Sequence, residues 1–304
     1  MTVSKMEQKK YMDIERLKDK YVDGFQPGDN IVVQEKIDGA NFSIRYDEET
    51  DSVIAFSRKR TLELGNNLRG AWEWSQKLDK ELVHKALGNT LVLFGEWLVS
   101  HTINYPDDKY QNAYFYDVWN NETENYLTQD KVRDIVEQLG LIYVPVFYEG
   151  EFQSWEHLKQ FVGRTELGGE NGEGIVVKNM TRLNDPNTRL PFYTKIVADH
   201  FAEKKSVRKF DDGKLEHRAK MQAIVESVVT EARVRKLVHK MIDDGLIPES
   251  WDEQNMSAIA KNIGKEVYYD CIKEEPETVD QVGELFGKLA SGTAMKIVKR
   301  LLTA

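Results

Sequence analysis

The sequence predicts an α+β protein, an antiparallel-sheet domain followed by a small all-helical C-terminal domain. Three observations point there. Short runs rich in β-branched and aromatic residues dominate from about residue 30 to 200. The separation from Asp47 to Asp51 is too short for the crossover that parallel strands require. After Phe201, apolar residues recur at helical spacing and no strand-like run appears.

The expected strands, in order, are IVVQEK, NFSIRY, SVIAFS, TLVLFGEW, AYFYDVW, LIYVPVF, GIVVK and FYTKIV. Helical stretches fall around Trp72 to Leu87, from Thr128 as N-cap to Leu139 with Gly140 as C-cap, and from Ser154 to Val162. AEKKSVRKFDDGK then reads as a polar linker, with Lys204, Lys205, Arg208 and Lys209 crowded together. Met221, Ile224, Val225, Val228 and Ala232 mark a helix beyond it. Pro248 and Glu275-Pro276 divide the remainder, giving roughly three or four helices up to Leu302. The expected boundaries are residues 1–203 for the sheet domain, 204–214 for the linker and 215–304 for the helices.

The 304 residues carry 42 Lys and Arg against 51 Asp and Glu, a formal net charge of −9, and 40% are hydrophobic. This is soluble globular composition, long enough for about two domains with real cores. The acidic balance argues against blanket binding of nucleic acid and leaves room for a local basic cleft. No apolar run approaches the roughly 18 residues of a membrane span, and MTVSKMEQKK has no apolar stretch after its lysines. The expectation is a cytoplasmic protein with neither anchor nor secretory signal. The lone Cys271 forms no internal disulfide and reads as packing, and the scattered histidines give no zinc-type site. Internal repeats, low-complexity tracts and heptad seams are absent from the sequence.

The segment EKIDGANF, residues 35 to 42, places Lys36 between a strand and a glycine that permits a tight turn. At a strand end facing a cleft, an ammonium is open to partial desolvation and to the influence of other cations, both of which favour a nucleophilic amine. The alternative is a solvated lysine before a hairpin turn. EKIDGANF resembles the first signature of the covalent nucleotidyltransferases, the polynucleotide ligases and messenger-RNA capping enzymes. Its Asn-Phe ending is similar to the phage RNA ligase 2 family.

Further segments follow in that family's order. KRT is similar to the second motif, whose phosphate-contacting arginine matches Arg60; a solvated strand edge is the other reading. LVLFGEW resembles the third, with Glu96 as its carboxylate. AYFYDVW is similar to the next, in which the aromatic before the aspartate, here Tyr116, stacks on the base. GEGIVVK resembles the fourth, which implies Glu173 near metal or sugar and Lys178 on phosphate. FYTKIVADHFAEKK is similar to the fifth through Lys195. Two departures stand out: Val197 occupies the position of a second family lysine, and Asp38 stands where close phage relatives often carry histidine and DNA ligases aspartate.

The resemblance implies a nucleotidyltransferase (ATP-grasp-like ligase) domain in an ATP-dependent RNA ligase of RNA repair. Lys36, aided by Lys178 and Lys195, would form a lysyl–AMP. Glu35, Asp38, Asn41, Arg60, Glu96, Tyr116 and Glu173 would complete the nucleotide site, with Mg²⁺ or Mn²⁺ near Glu96 and Glu173. The AMP would pass to an RNA 5′-phosphate, and a 3′-hydroxyl would then displace it. Asn41 matches a position tied to the RNA-dependent steps, and Lys204, Lys205, Arg208 and Lys209 would hold RNA phosphates. The expected partner is RNA ends, in a nicked duplex, across a splint or in a cleaved structured RNA, bound by a monomer of phage or bacterial origin. DNA ligases and capping enzymes append a β-rich domain, whereas residues 215 to 304 read as helices. A DNA ligase, a capping-type guanylyltransferase and a non-catalytic RNA-binding protein of the same fold are the alternatives.

Overall fold

The computed structural model describes residues 8–17, 24–182, 184, 190–198, 217–249 and 255–302. The linker expected at 204–214, with Lys204, Lys205, Arg208 and Lys209, lies outside them. By its contacts the chain divides into Met1–Ala198 and Asp199–Ala304.

The first unit holds the strands β1 (Glu15–Arg16), β2 (Asn30–Lys36), β3 (Ala40–Asp47), β4 (Ser52–Ser57), β5 (Leu91–Trp97), β6 (Ala113–Asn120), β7 (Asn125–Tyr126), β8 (Ile142–Tyr143), β9 (Val146–Glu151), β10 (Gly174–Asn179) and β11 (Tyr193–Val197). They form two sheets. The first runs β1-β11-β10-β2-β9, and the second runs β4-β3-β5-β6-β7 with β8 also on β6. Pairing is antiparallel, as the short turns require, except for β1 with β11 and β6 with β8.

LIYVPVF, expected as one strand, is two. Pro145 has no N–H to give a ladder. On its N-terminal side β8 joins the second sheet, and on its C-terminal side β9 joins the first. The junction is tied to both sheets: Val144 N donates to Phe115 O at 2.8 Å and Glu35 N to Pro145 O at 2.9 Å.

Each sheet has its own core on one face. Ile31, Val33, Ile175 and Val177 of the first pack with Phe152, Leu158 and Phe161. Phe42, Ile44, Leu93, Phe115 and Val118 of the second pack with residues of three helices, α1 (Ala71–Ser75), α2 (Lys80–Leu87) and α3 (Gln129–Gln138). The stretch Trp72 to Leu87 is therefore two helices, because the Asp79 carboxylate caps the second by accepting from Leu82 N at 3.0 Å. Thr128 is the N-cap of α3 as expected, and Leu139 rather than Gly140 is its C-cap. A short α4 (Trp155–Lys159) follows Ser154, whose hydroxyl accepts from His157 N.

The second unit contains α5 (His217–Val228), α6 (Glu231–Asp243), α7 (Met256–Glu274), α8 (Pro276–Val282) and α9 (Phe286–Leu302). The count among described residues exceeds the expected three or four, because Thr230 caps a new helix and Gly283, at φ +62°, ends the short one that Pro276 opens. Their common core includes Val225, Leu237, Val238, Ile263, Val267, Phe286, Ala290 and Val298. One cation lies inside it. Arg233, 0% exposed, donates to Cys271 Sγ at 2.9 Å and Glu275 Oε1 at 3.2 Å, and its Nε lies 3.3 Å from Asp270 Oδ2. Cys271 is buried, as a packing role requires, and burial pushes its thiol up to about 11.

Breaking a buried ion pair from one side leaves the other charge uncompensated, so Arg233→Ala should destabilise the helical unit by about 3–5 kcal/mol. A denaturant titration followed by the helical signal checks this. A shift within error of zero would show that Arg233 does not hold α6 to α7 and α8.

Candidate active site

Register decides which side chains face one another. Residues directly paired across antiparallel strands share a face, and alternate residues along a strand share it too. In the first sheet, Lys36 pairs Gly174, which pairs Val197, and Gln34 pairs Val176, which pairs Lys195. Val32, Lys178 and Tyr193 form the next row. These rows lie opposite the face packed against Phe152 and Phe161. In the second sheet, Asn41 pairs Glu96 on the face opposite Phe42 and Phe115.

The second sheet carries a bulge there. Phe94 pairs Asp117 while Gly95 pairs Phe115, leaving Tyr116 as the extra residue. A bulge breaks the alternation, so Tyr116 and Asp117 both leave the core face. Gly95 makes this possible, since a Cβ there would lie 2.8 Å from both Tyr114 O and Phe115 Cδ1.

The two polar faces meet through one buried ion pair. Lys178 Nζ donates to Asp117 Oδ2 and to Tyr116 O, each at 2.8 Å, with the side chains 1% and 0% exposed. Burial pushes the Lys178 pKa down while Asp117 pulls it back up. Asp117 also accepts from Tyr11 OH at 2.5 Å, Gln129 Nε2 at 2.7 Å and Tyr193 OH at 3.4 Å. Gln34 Nε2 continues the network to Gln129 Oε1 and Tyr143 OH.

At the other end of β2, Lys36 Nζ meets Glu173 Oε2 at 2.5 Å. Where cations were expected around Lys36, the nearest charge is a carboxylate. Gly174 permits the approach of the neighbouring strand: its φ is +157°, and a Cβ would lie 2.1 Å from Ile196 O. Half-buried Glu96 completes the cluster. Its carboxyl is lifted to about 8, chiefly by burial, with Glu173 and Asp38 adding to the rise and Lys36 and His101 opposing it.

Asp38 turns away from a ligand role. Its Oδ2 accepts from Thr102 N at 2.7 Å and Ile103 N at 2.8 Å, and His101 Nδ1 lies 3.6 Å from Oδ1. Burial alone would raise its carboxyl, but His101 and the Ile103 N–H hold it below the usual range. The turn after Lys36 is thereby fastened to the loop after β5. Asn41 Nδ2 donates to Tyr116 OH at 2.8 Å, fixing the tilt of the aromatic ring.

The structure thus gathers Lys36, Glu96 and Glu173, with Asp38 anchoring the turn beside them, and Asn41 with Tyr116. Lys195 is half-buried on the same sheet face, two residues from Val197. Three expectations change. Lys178, expected on phosphate beside Lys36, is four strand residues away, about 13 Å along β2, and is engaged by Asp117. Glu35, 2% exposed, points to the core face, where Oε2 accepts from Glu166 N at 2.9 Å and orders the loop that delivers Glu173. Asp38 is an anchor for its turn. Arg60 closes the turn after β4, its carbonyl accepting from Ser57 N. The sequence reading missed Gln34 and Val176, although strict alternation from Lys36 and Lys178 places both on the cleft face. It also missed Tyr11, for which no local pattern speaks.

The RNA ligase family model matches residues 29–197, more than half of the chain. This chain belongs to the RNA ligase family. No curated protein matches it. Solved structures do: Naegleria gruberi RNA ligase with pyrophosphate at 22% identity and TM-score 0.50, covering 64% of this chain and 57% of that one. A point mutant of the same ligase with ATP and Mn matches at 20% identity and TM-score 0.50, covering 62% and 56%. Another, with AMP and Mn, matches at 20% and 0.50, covering 64% and 57%. This family member therefore spans little more than half the length of those structures, and the likeness is one of fold.

Glu96 and Glu173 suit a divalent cation, since hard oxygen donors, one of them raised to about 8 first by burial and then by the neighbouring carboxylates, gain from a positive charge. Without a cation, the raised pKa means that folding favours the protonated form. Its contribution to stability is fully present below the ordinary value of 4.5 and is lost as pH rises through about 8. Metal-free wild-type protein should therefore lose more melting temperature across that window than Glu96→Gln. Equal slopes would show that Glu96 is not the group responsible.

Proposed function

We propose that this chain is an ATP-dependent RNA ligase that works through a lysyl–AMP on Lys36. The observation carrying this reading is the meeting of Lys36 with Glu173 and Glu96 at one end of the cleft, while Tyr116 stands on the same cleft above the buried pair. A flat aromatic face and an amine at fixed separation suit a ligand with a base at one end and phosphate at the other. Val176, half-buried on the opposing sheet, supplies apolar surface for the second face of the base.

The mechanism follows from what each side chain is free to do. Lys36 is not free to reach phosphorus while its ammonium is held by Glu173 Oε2, so engagement of the triphosphate requires that contact to open. Lys36 then gives up a proton to solvent, its Nζ forms the bond to the α-phosphorus, and the bond to pyrophosphate breaks with its electron pair leaving on pyrophosphate. A divalent cation, when bound by Glu96 and Glu173, supplies charge neutralisation on the phosphates. Lys195 adds a cation on the same face. Val197 beside Gly174 contributes bulk where the family has a second lysine. The AMP next moves to an RNA 5′-phosphate, and a 3′-hydroxyl displaces it.

The binding of ATP and Mn by the Naegleria ligase supports the choice of nucleotide and metal class. The helices of the C-terminal unit, with no strand among their described residues, support the RNA ligase 2 type over ligases with a β-rich appended domain. RNA ends are the proposed partner, held in part by the 204–209 basic residues. No helix among the described residues is long and apolar enough to cross a membrane.

The test uses magnesium and α-labelled ATP beside α-labelled GTP. Label surviving denaturation should come from ATP, map to Lys36 and vanish in Lys36→Ala, a loss of more than about a thousandfold for a covalent nucleophile. Label retained in Lys36→Ala, or taken from GTP alone, would overturn the proposal.

A further inference from the structure

Residues 8–17 contribute a two-residue strand and belong to none of the three hydrophobic clusters, yet they cross from one sheet to the other. Gln8 Nε2 donates to Ser57 O at the end of β4, and the Lys9 ammonium lies 3.3 Å from the centre of the Trp119 ring on β6. Met12 N donates to Tyr126 OH at 3.1 Å. Glu15 and Arg16 then pair in parallel with Thr194 and Lys195, and Leu17 N donates to Lys195 O at 3.1 Å. The segment is a strap whose two ends are fastened to different sheets.

Its middle falls on the base-stacking residue of the proposed site. The Tyr11 ring lies 5.1 Å from Tyr116 at 62°, edge to face, and 5.2 Å from Phe94. Its hydroxyl donates to Asp117 Oδ2, the atom that Lys178 also uses. Tyr116 is thus gripped twice besides its own backbone: Asn41 holds its hydroxyl and Tyr11 holds its ring. A bulged residue lacks regular ladder support, so its side chain takes its direction from such neighbours.

We propose that Tyr11 is a positioning residue for nucleotide binding and that the strap Gln8–Leu17 forms part of the nucleotide pocket. This rests on the ligase reading of the same cleft. Tyr11 acts through Tyr116 and Asp117: it fixes the plane against which a purine base stacks and takes no part in the chemistry at phosphorus. Base stacking is equally present in the ground and transition states, so weakening it raises KM and spares the chemical step. A residue needed only for folding would move stability and leave that ratio alone.

The experiment measures single-turnover adenylation against ATP concentration for wild type, Tyr11→Phe and Tyr11→Leu, with thermal unfolding of each. Loss of an aromatic pair together with a hydrogen bond to a charged group should raise the half-saturating ATP concentration of Tyr11→Leu by about tenfold or more. The rate at saturation should fall by less than about threefold. Tyr11→Phe keeps the ring and loses only the hydroxyl, so it should recover most of the affinity and stays informative even where the leucine variant unfolds. A folded Tyr11→Leu with wild-type ATP dependence, or either variant slowed at saturation with unchanged half-saturation, overturns the inference alone. Absence of label on wild type overturns the ligase reading beneath it.

Discussion

The buried pair between Lys178 and Asp117 is the constraint around which the first unit is arranged. Two full charges, 1% and 0% exposed, are stable together only when every remaining lone pair and proton is satisfied. The surroundings answer that demand from four directions. Tyr116 O takes a second Lys178 proton, and Tyr11, Gln129 and Tyr193 donate to Asp117. Each partner comes from a different element: the N-terminal strap, α3, β6 and β11. The pair thereby fixes how far apart the sheets stand and holds Tyr116, its neighbour in the bulge, at a set height above the first sheet.

The chemical end of the cleft obeys the opposite rule. There the charges are incompletely balanced. Glu96 is raised to about 8, Glu173 is shared with Lys36, and the Asp38 carboxylate is already committed to backbone N–H groups. Perturbed groups gathered beside a stable scaffold mark places where a ligand completes the electrostatics. The polarity of the cleft is therefore graded, saturated at Asp117 and hungry at Glu96. On the proposed ligase reading, that gradient would place a base at one end and phosphates with metal at the other.

Much of this was legible in the sequence because strands advertise themselves by composition and motifs by order. Lys36, Glu96 and Glu173 each stand at or near a strand end, where alternation and polarity give them away, and Tyr116 is marked by the aspartate that follows it. Lys178 was misplaced because a motif fixes neighbours along the chain and says nothing of register across it; pairing with Val32 rather than Lys36 moves it down the cleft. Glu35 was misplaced for a simpler reason, since it is adjacent to Lys36 and so must face the other way. Tyr11 could not be read at all. KKYMDIER has the composition of a polar tail, and its meaning comes only from the bulge and the carboxylate it meets far along the chain. In the helical unit the periodicity was plain, while the helix count depended on Thr230 and Gly283, single residues that cap and stop.

A double-mutant cycle on Asp117 and Lys178 tests the central claim most directly. Asp117→Asn and Lys178→Met each remove one charge and strand the other, so each should lower the unfolding free energy by about 3–5 kcal/mol. The double variant should lose less than the sum by at least about 1 kcal/mol, because it strands nothing. Strictly additive losses would contradict the account, since the two side chains would then act independently and the closure of the cleft would depend on something else.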